Sequence, residues 1–303
     1  MMNSTLSSGV WPAMLTPLTP DKAIDWDALD HLIEWYLKAG VAGLFAIGLS
    51  SEMYDLSDDE RPQLAKYVVD QVKGRVPVVA TGNFGQSLDQ QATTIKRLAA
   101  TGVQAVTIVL ANLAPQAETA DDILKKNLES LLGMTGNIPL ALYECPQPYH
   151  RLVSANLLRW AAQSGRFLLL KETSRSLASF QDKIQATTAT PLKCLTADAS
   201  TLLASLNSGG EGYCGIAANY YPQGLAWLCN HFKTQPDKAA QIQALLGAFD
   251  LAIHQKYPLA AKYFLQNNGL PITLTNRAPT PPLEDYDRRI LDYMNEHLQT
   301  MTL

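Results

Sequence analysis

Residues 167–174 read FLLLKETS. Four apolar residues, Phe167 to Leu170, run without alternation into Lys171, and Glu172 follows at once. A strand with one wet face alternates apolar and polar side chains. An unbroken apolar run fits a strand covered on both faces, as in a parallel sheet flanked by helices. The lysine at its end poses a chemical question, because an ammonium among apolar side chains loses its hydration.

Seven further runs share the pattern: VWPAML (10–15), GLFAIG (43–48), VPVVATG (76–82), AVTIVL (105–110), IPLALYE (138–144), LKCLTA (192–197) and GYCGIAA (212–218). Between them lie helical patterns such as DWDALDHLIEWYLKAG (25–40) and SLDQQATTIKRLAATG (87–102). In the first, Leu29, Leu32, Ile33, Trp35, Tyr36 and Leu37 cover one broad face, and Gly40 stops the helix. Strand, helix, strand at these spacings reads as repeated βαβ units. Eight of them predict an α/β fold, a closed (β/α)8 TIM barrel, over residues 1–232. An open doubly wound sheet is the rival, but no GxGxxG turn follows the first strand. Beyond that point the strands stop. Segments 237–255, 257–266 and 283–299 look helical, with a Pro-rich connector, NRAPTPPLED (276–285), before the last. Residues 233–303 are read as a C-terminal helical extension.

The chain has 303 residues, is 47% hydrophobic and 17% charged, and carries a net charge of −4. This composition supports a large core and argues against a nucleic-acid or anionic-membrane binder. No apolar run approaches the roughly 20 residues of a membrane span. The opening MMNSTLSSGVWPAM has no basic segment followed by an apolar core, so no secretory signal is read. Cys145, Cys194, Cys214 and Cys229 are scattered, without metal-ligand spacing, and read as reduced packing residues. A cytoplasmic location is expected by default. The five histidines form no metal-like cluster, and only His150 is expected to approach a site.

In a (β/α)8 barrel the reacting groups come from the C-terminal ends of strands. Lys171 ends the sixth. Desolvation lowers the pKa of such an amine, and a neutral amine can form a Schiff base with a carbonyl. The alternative is a lysine whose stem packs while its head reaches solvent. Tyr143 ends the fifth strand, and a phenol near that amine can move the protons imine chemistry requires; the alternative is a buried tyrosine satisfied by a backbone carbonyl. Gly48–Glu52, GLSSE, can aim backbone N–H groups and hydroxyls at a carboxylate. Ser57 and Glu60 read as a helix capping box, and Glu52 as a hydrogen-bonding residue of its own loop. At the eighth strand GIAAN (215–219) lets a ligand lie close to backbone, with Ile216 as a substrate contact.

Taken in order, these motifs resemble the dihydrodipicolinate synthase / N-acetylneuraminate lyase family of Schiff-base-forming aldolases. The likeness runs through AMLTPLT (13–19), Gly48 and Glu52, Tyr143 followed by ECP, Lys171 in LLLKETS, and SGGEGYCGIAAN (208–219). It implies a barrel with a C-terminal helical extension, a homotetramer, and no metal or organic cofactor. It implies that Lys171 forms an imine with a 2-oxo acid, typically pyruvate, and that Tyr143 relays protons. The backbone N–H groups of Ser50 and Ser51 and the Ser50 hydroxyl would bind the pyruvate carboxylate.

Departures bear on the substrate. Leu49 stands where the family has a hydroxyl, and Ser51 where it has a glycine. Asn112 is the nearest match to a tyrosine that the synthase donates across a subunit interface. Pro148 occupies the position of an arginine that recognises a second carboxylate, which argues against dihydrodipicolinate synthesis. His150 and Arg151 are candidates for another polar end to the pocket. The expected function is a carbon–carbon lyase of the lysine-imine type acting on a 2-oxo acid. Rivals are a sugar-acid dehydratase or deaminase of the same fold, a non-catalytic 2-oxo-acid-binding member, and a barrel in which Lys171 binds an anion as a simple cation.

Overall fold

Successive apolar runs form successive strands of a single sheet: β1 Gly9–Val10, β2 Leu44–Ile47, β3 Val78–Thr81, β4 Ala105–Val109, β5 Leu140–Tyr143, β6 Phe167–Glu172, β7 Lys193–Thr196 and β8 Gly212–Tyr213. The computed structural model describes residues 6–301 apart from residue 119. The opening stretch read for a secretory signal begins in residues 1–5, outside the described residues. From β2 to β8 each strand pairs in parallel with the next, and β1 pairs with β8. The ring closes between β1 and β2 through Ala42 N to Val10 O (2.7 Å), Phe45 N to Pro12 O (3.0 Å) and Met14 N to Phe45 O (3.0 Å). This is a (β/α)8 TIM barrel.

Two runs are laddered for less of their length than their composition suggests. In VWPAML the ladder with β8 covers only Gly9–Val10; Pro12 faces β2 and has no N–H to donate, and the contact with β2 is a single bridge at Ala13. In GYCGIAA the strand ends at Tyr213, and Ile216–Asn219 turns into a 3-10 helix. Gly212 has φ +146°, and a Cβ there would lie 1.9 Å from Gly9 O, so only glycine lets β8 approach β1.

The helices that cover the sheet are α1 Trp26–Lys38, α2 Glu60–Val72, α3 Leu88–Ala99, α4 Asp121–Thr135, α5 Ala155–Gln163, α6 Leu177–Thr187, α7 Leu202–Asn207 and α8 Pro222–His231. In α1, Leu29, Leu32, Ile33 and Tyr36 are buried, Trp35 and Leu37 sit at the margin, and Gly40 leaves the helix at φ +76°. Three more helices follow: α9 Pro236–His254, α10 Leu259–Asn267 and α11 Asp285–Thr300. Among the described residues no helix is long and apolar enough to cross a membrane.

Glu52 fastens this last segment to the barrel, rather than bonding within its own loop as its sequence position suggests. It accepts Lys262 Nζ (3.0 Å) and the backbone N–H groups of Arg277 (2.6 Å) and Ala278 (2.8 Å). Lys262 is fully buried, and burial pulls its amine below the ordinary value, with Glu52 opposing. Arg277 also grips Glu60 through both Nη atoms (2.7 and 2.6 Å) and holds that carboxyl down at about 2. Glu60 completes the capping box with Ser57 (2.8 and 3.2 Å).

Removing one partner of a buried ion pair typically costs about 3–5 kcal/mol, because the other charge is left uncompensated. Glu52→Ala is therefore expected to lower unfolding stability by that order in a denaturant titration. Glu52→Leu combined with Lys262→Met is expected to recover part of the loss.

Candidate active site

The parallel register sets Tyr143 of β5 directly opposite Lys171 of β6. Lys171 Nζ lies 4.4 Å from the centroid of the Tyr143 ring and 5.1 Å from that of Phe45. The two rings meet edge to face at 5.6 Å. Cys145 and Cys214 complete the surroundings as neutral thiols, the second pushed up to about 11 by burial. Lys171 is 4% exposed. Two other lysines are equally buried, but Lys183 and Lys262 each hold a carboxylate within 3.0 Å. Among the described residues Lys171 has no such partner. Cation–π contact favours the charged form by about 0.5–2 kcal/mol. Burial outweighs it and draws the Lys171 amine below the usual lysine range. Burial acts oppositely on Tyr143: with Cys145 beside it, the phenol is pushed well above its ordinary value and keeps its proton.

Just beyond these two residues the strand ends are tied together. Lys183 Nζ bridges Glu144 Oε1 (2.6 Å) and Glu172 Oε1 (2.7 Å), all three side chains being buried. Glu144 also accepts the N–H groups of Val153 and Thr173 (2.9 Å each). Burial, reinforced by the Glu172 charge and opposed by Lys183, raises Glu144 to about 7.

Lys171 and Tyr143 open into a cavity of about 650 Å³ at the C-terminal end of the strands, whose walls include Leu49, Ser50 and Ile216. Gly48 and Ser51 do not line it, contrary to expectation. The Ser51 hydroxyl folds back onto Gly48 N (2.9 Å) and Gly48 O (2.7 Å), and the Ser51 N–H is bonded to Gly48 O (3.1 Å). The N–H groups left without a protein acceptor among the described residues are those of Leu49 and Ser50. Gly215 leads into Ile216, and a Cβ there would meet the Tyr213 hydroxyl at 2.5 Å.

Other expectations are corrected by side-chain direction. Arg151 turns away from the cavity to the carbonyls of Glu118 and Ala120. His150 does reach it, bonded to Thr173 Oγ1 at 2.8 Å, and burial lowers its pKa. Asn112 is a loop brace: its Nδ2 donates to Asn83 O (3.1 Å) and its carbonyl accepts Gln91 Nε2 (2.7 Å). The residue beside it that lines the cavity is Tyr54, whose hydroxyl donates to Gln147 O (3.0 Å). His254, Arg175 and Tyr257 line it too, and sequence reading missed all three. Tyr257 accepts Asn219 Nδ2 (2.8 Å) and stands beside the Ser50 hydroxyl. Among the described residues no cluster of three or more His, Cys, Asp or Glu side chains is placed to hold a metal ion.

Residues 6–297 match the profile of the Dihydrodipicolinate synthetase family. The 4-hydroxy-tetrahydrodipicolinate synthase of Xanthomonas axonopodis pv. citri is 30% identical over 281 residues, covering 91% of this chain and 89% of that one. The enzyme of the same name from Gluconacetobacter diazotrophicus is 25% identical, covering 95% of both. Among solved structures, a monomeric dihydrodipicolinate synthase variant superposes with a TM-score of 0.88 at 20% identity, covering 98% of each chain. A prophage protein of E. coli K12 from the same family, solved with pyruvate, gives 0.87 at 22% identity, covering 97% of this chain and 99% of that one.

Because folding lowers the Lys171 pKa, the unfolded chain binds more protons between the folded value and the ordinary one near 10.4, so stability rises with pH through that window. Lys171→Met is accordingly expected to be more stable than wild type at neutral pH. The gap should narrow as pH climbs toward 10.4, read from denaturant midpoints across a pH series.

Proposed function

The chain belongs to the dihydrodipicolinate synthetase family, and from that premise we propose that it is a lysine-imine lyase acting on a 2-oxo acid of the pyruvate type. The observation that carries the reading is the buried Lys171 amine, without a carboxylate partner among the described residues, in register with Tyr143 at the floor of a cavity. A lysine retained as a simple anion-binding cation gains nothing from surroundings that disfavour its charge.

The neutral Lys171 amine attacks the carbonyl carbon of the 2-oxo acid. Tyr143, protonated at working pH, gives a proton to the carbonyl oxygen and accepts one from nitrogen. Tyr143 then protonates the departing hydroxyl, water leaves, and a cationic imine joins the substrate to Lys171 with Tyr143 as its phenolate. The Tyr143 phenolate takes the C4 hydroxyl proton as the bond between C3 and C4 breaks, the imine accepts the released electron pair, and an aldehyde departs while an enamine remains. Protonation of the enamine at C3 and hydrolysis of the imine return the amine and release the shortened 2-oxo acid. Run in reverse, the same steps make the bond. The carboxylate of the 2-oxo acid is assigned to the open N–H groups of Leu49 and Ser50, with the Ser50 and Tyr257 hydroxyls beside them. This shifts the expected pair by one residue, because the Ser51 N–H is spent within the turn. The residues described require no metal or organic cofactor for these steps.

Two departures set the substrate apart from that of the synthase. Pro148 offers no cation where the synthase has arginine, and Arg151 is engaged elsewhere. Leu49 lines the cavity where the family has a hydroxyl, so it cannot pass a proton from Tyr143 and instead packs against substrate.

Incubation with pyruvate and borohydride should attach one reduced adduct per chain, located on Lys171 by peptide mass spectrometry. Lys171→Ala should abolish it while keeping the fold. Adduct on a different lysine, or none in the folded wild type, would sink the imine mechanism.

A further inference from the structure

The cavity that holds Lys171 has a second basic pole. Arg175 leaves β6 four residues after Lys171, with its backbone at φ +56°, a region costly for any residue but glycine. Its Nη2 lies 2.6 Å from Nε2 of His254, at the end of α9, and both residues line the cavity. A guanidinium can only donate, so Nε2 accepts; the Asp250 carbonyl can only accept, so Nδ1, 2.6 Å from it, donates. Two partners thus fix the imidazole in one tautomer, and the imidazole in turn fixes the guanidinium.

The Asp250 carboxylate stands behind this pair as a loose ion-pair partner. It is 3.8 Å from Arg175 Nη2 and 3.7 Å from His254 Nδ1, both beyond hydrogen-bond length. Its Oδ1 is buried and has no hydrogen-bond partner among the described residues. The other donors of Arg175, on Nε and Nη1, also have no protein acceptor among the described residues. A guanidinium with that edge open presents the planar fork that matches a carboxylate or phosphate. The Arg175 side chain is 56% exposed, whereas Lys171 is 4% exposed, which puts the guanidinium at the mouth and the amine at the floor. The volume of about 650 Å³ leaves room between them. At about 30 Å³ for each water-sized group it takes on the order of twenty, far more than pyruvate fills.

We propose that Arg175, held by His254, is the subsite for a second anionic group on the substrate, which is therefore a 2-oxo acid carrying a distal carboxylate or phosphate. The near end of that assignment rests on the imine reading; the distal end rests on Arg175 and His254 alone.

The test compares two matched pairs of ligands by calorimetric titration, which detects binding whether or not an imine forms. One pair is 2-oxoglutarate and 2-oxohexanoate; the other is 2-oxo-3-deoxygluconate with and without a 6-phosphate. Wild type is expected to prefer the more highly charged member of one pair by tenfold or more, and the pair that shows it tells carboxylate from phosphate. Arg175→Met should erase the preference, Arg175→Lys should keep part of it, and His254→Gln should reduce it by a smaller factor. Preference in neither pair, or preference that survives Arg175→Met, overturns the proposal. Borohydride trapping on the same samples separates the two readings. Preference without a Lys171 adduct supports the anion subsite and refutes the imine, whereas an adduct without preference refutes the subsite alone.

Discussion

Water solvates an ammonium ion far better than a protein interior can, so folding Lys171 among Phe45, Tyr143, Cys145 and Cys214, with no carboxylate beside it among the described residues, disfavours the ion relative to the amine. The rest of the open end of the barrel follows from that constraint. Lys183 and Lys262 show the alternative the same chain uses when a buried lysine serves the fold: each is met by carboxylate oxygens at hydrogen-bond distance. Lys183 draws Glu144 and Glu172 together, and these are the residues next after Tyr143 and Lys171. The charged cluster therefore lies one residue beyond Tyr143 and Lys171, where it holds the strand ends in register without pairing with the amine. A carboxylate moved one position, onto the Lys171 side of the strand, would favour the ion and defeat the arrangement.

The barrel was legible because its strands are short and covered on both faces, which writes them as unbroken apolar runs. The juxtaposition of Lys171 and Tyr143 was legible because each stands at the end of such a run, and parallel register then brings them together. What could not be read depends on side-chain direction and on partners distant in the chain. Ser51 looks like a ligand-binding serine, yet its hydroxyl closes the turn that begins at Gly48. Arg151 is one residue from His150, yet the two point to different sides of the loop. Glu52 looks like a loop acid, and its true partners are more than 200 positions away. Tyr257, His254 and Arg175 sit in segments whose patterns read as ordinary helix or loop. Only the folding of the C-terminal helices over the barrel mouth reveals that they share a cavity with Lys171.

That last segment links stability to function. Glu52, Lys262 and Arg277 fasten it to the loop after β2, the loop whose Leu49 and Ser50 N–H groups face the cavity. The same segment delivers Tyr257 to Ser50 and His254 to Arg175. The helices beyond the barrel thus complete the cavity wall.

The central claim is that the Lys171 amine gives up its proton at a lower pH than exposed lysines do. Competitive labelling with trace acetic anhydride across a pH series, quantified for each lysine by peptide mass spectrometry, measures this directly. The account predicts that Lys171 reactivity titrates below the ordinary lysine value near 10.4, and that pyruvate suppresses its labelling while leaving exposed lysines such as Lys66 unchanged. Titration of Lys171 together with the exposed lysines, or above them, would contradict the account.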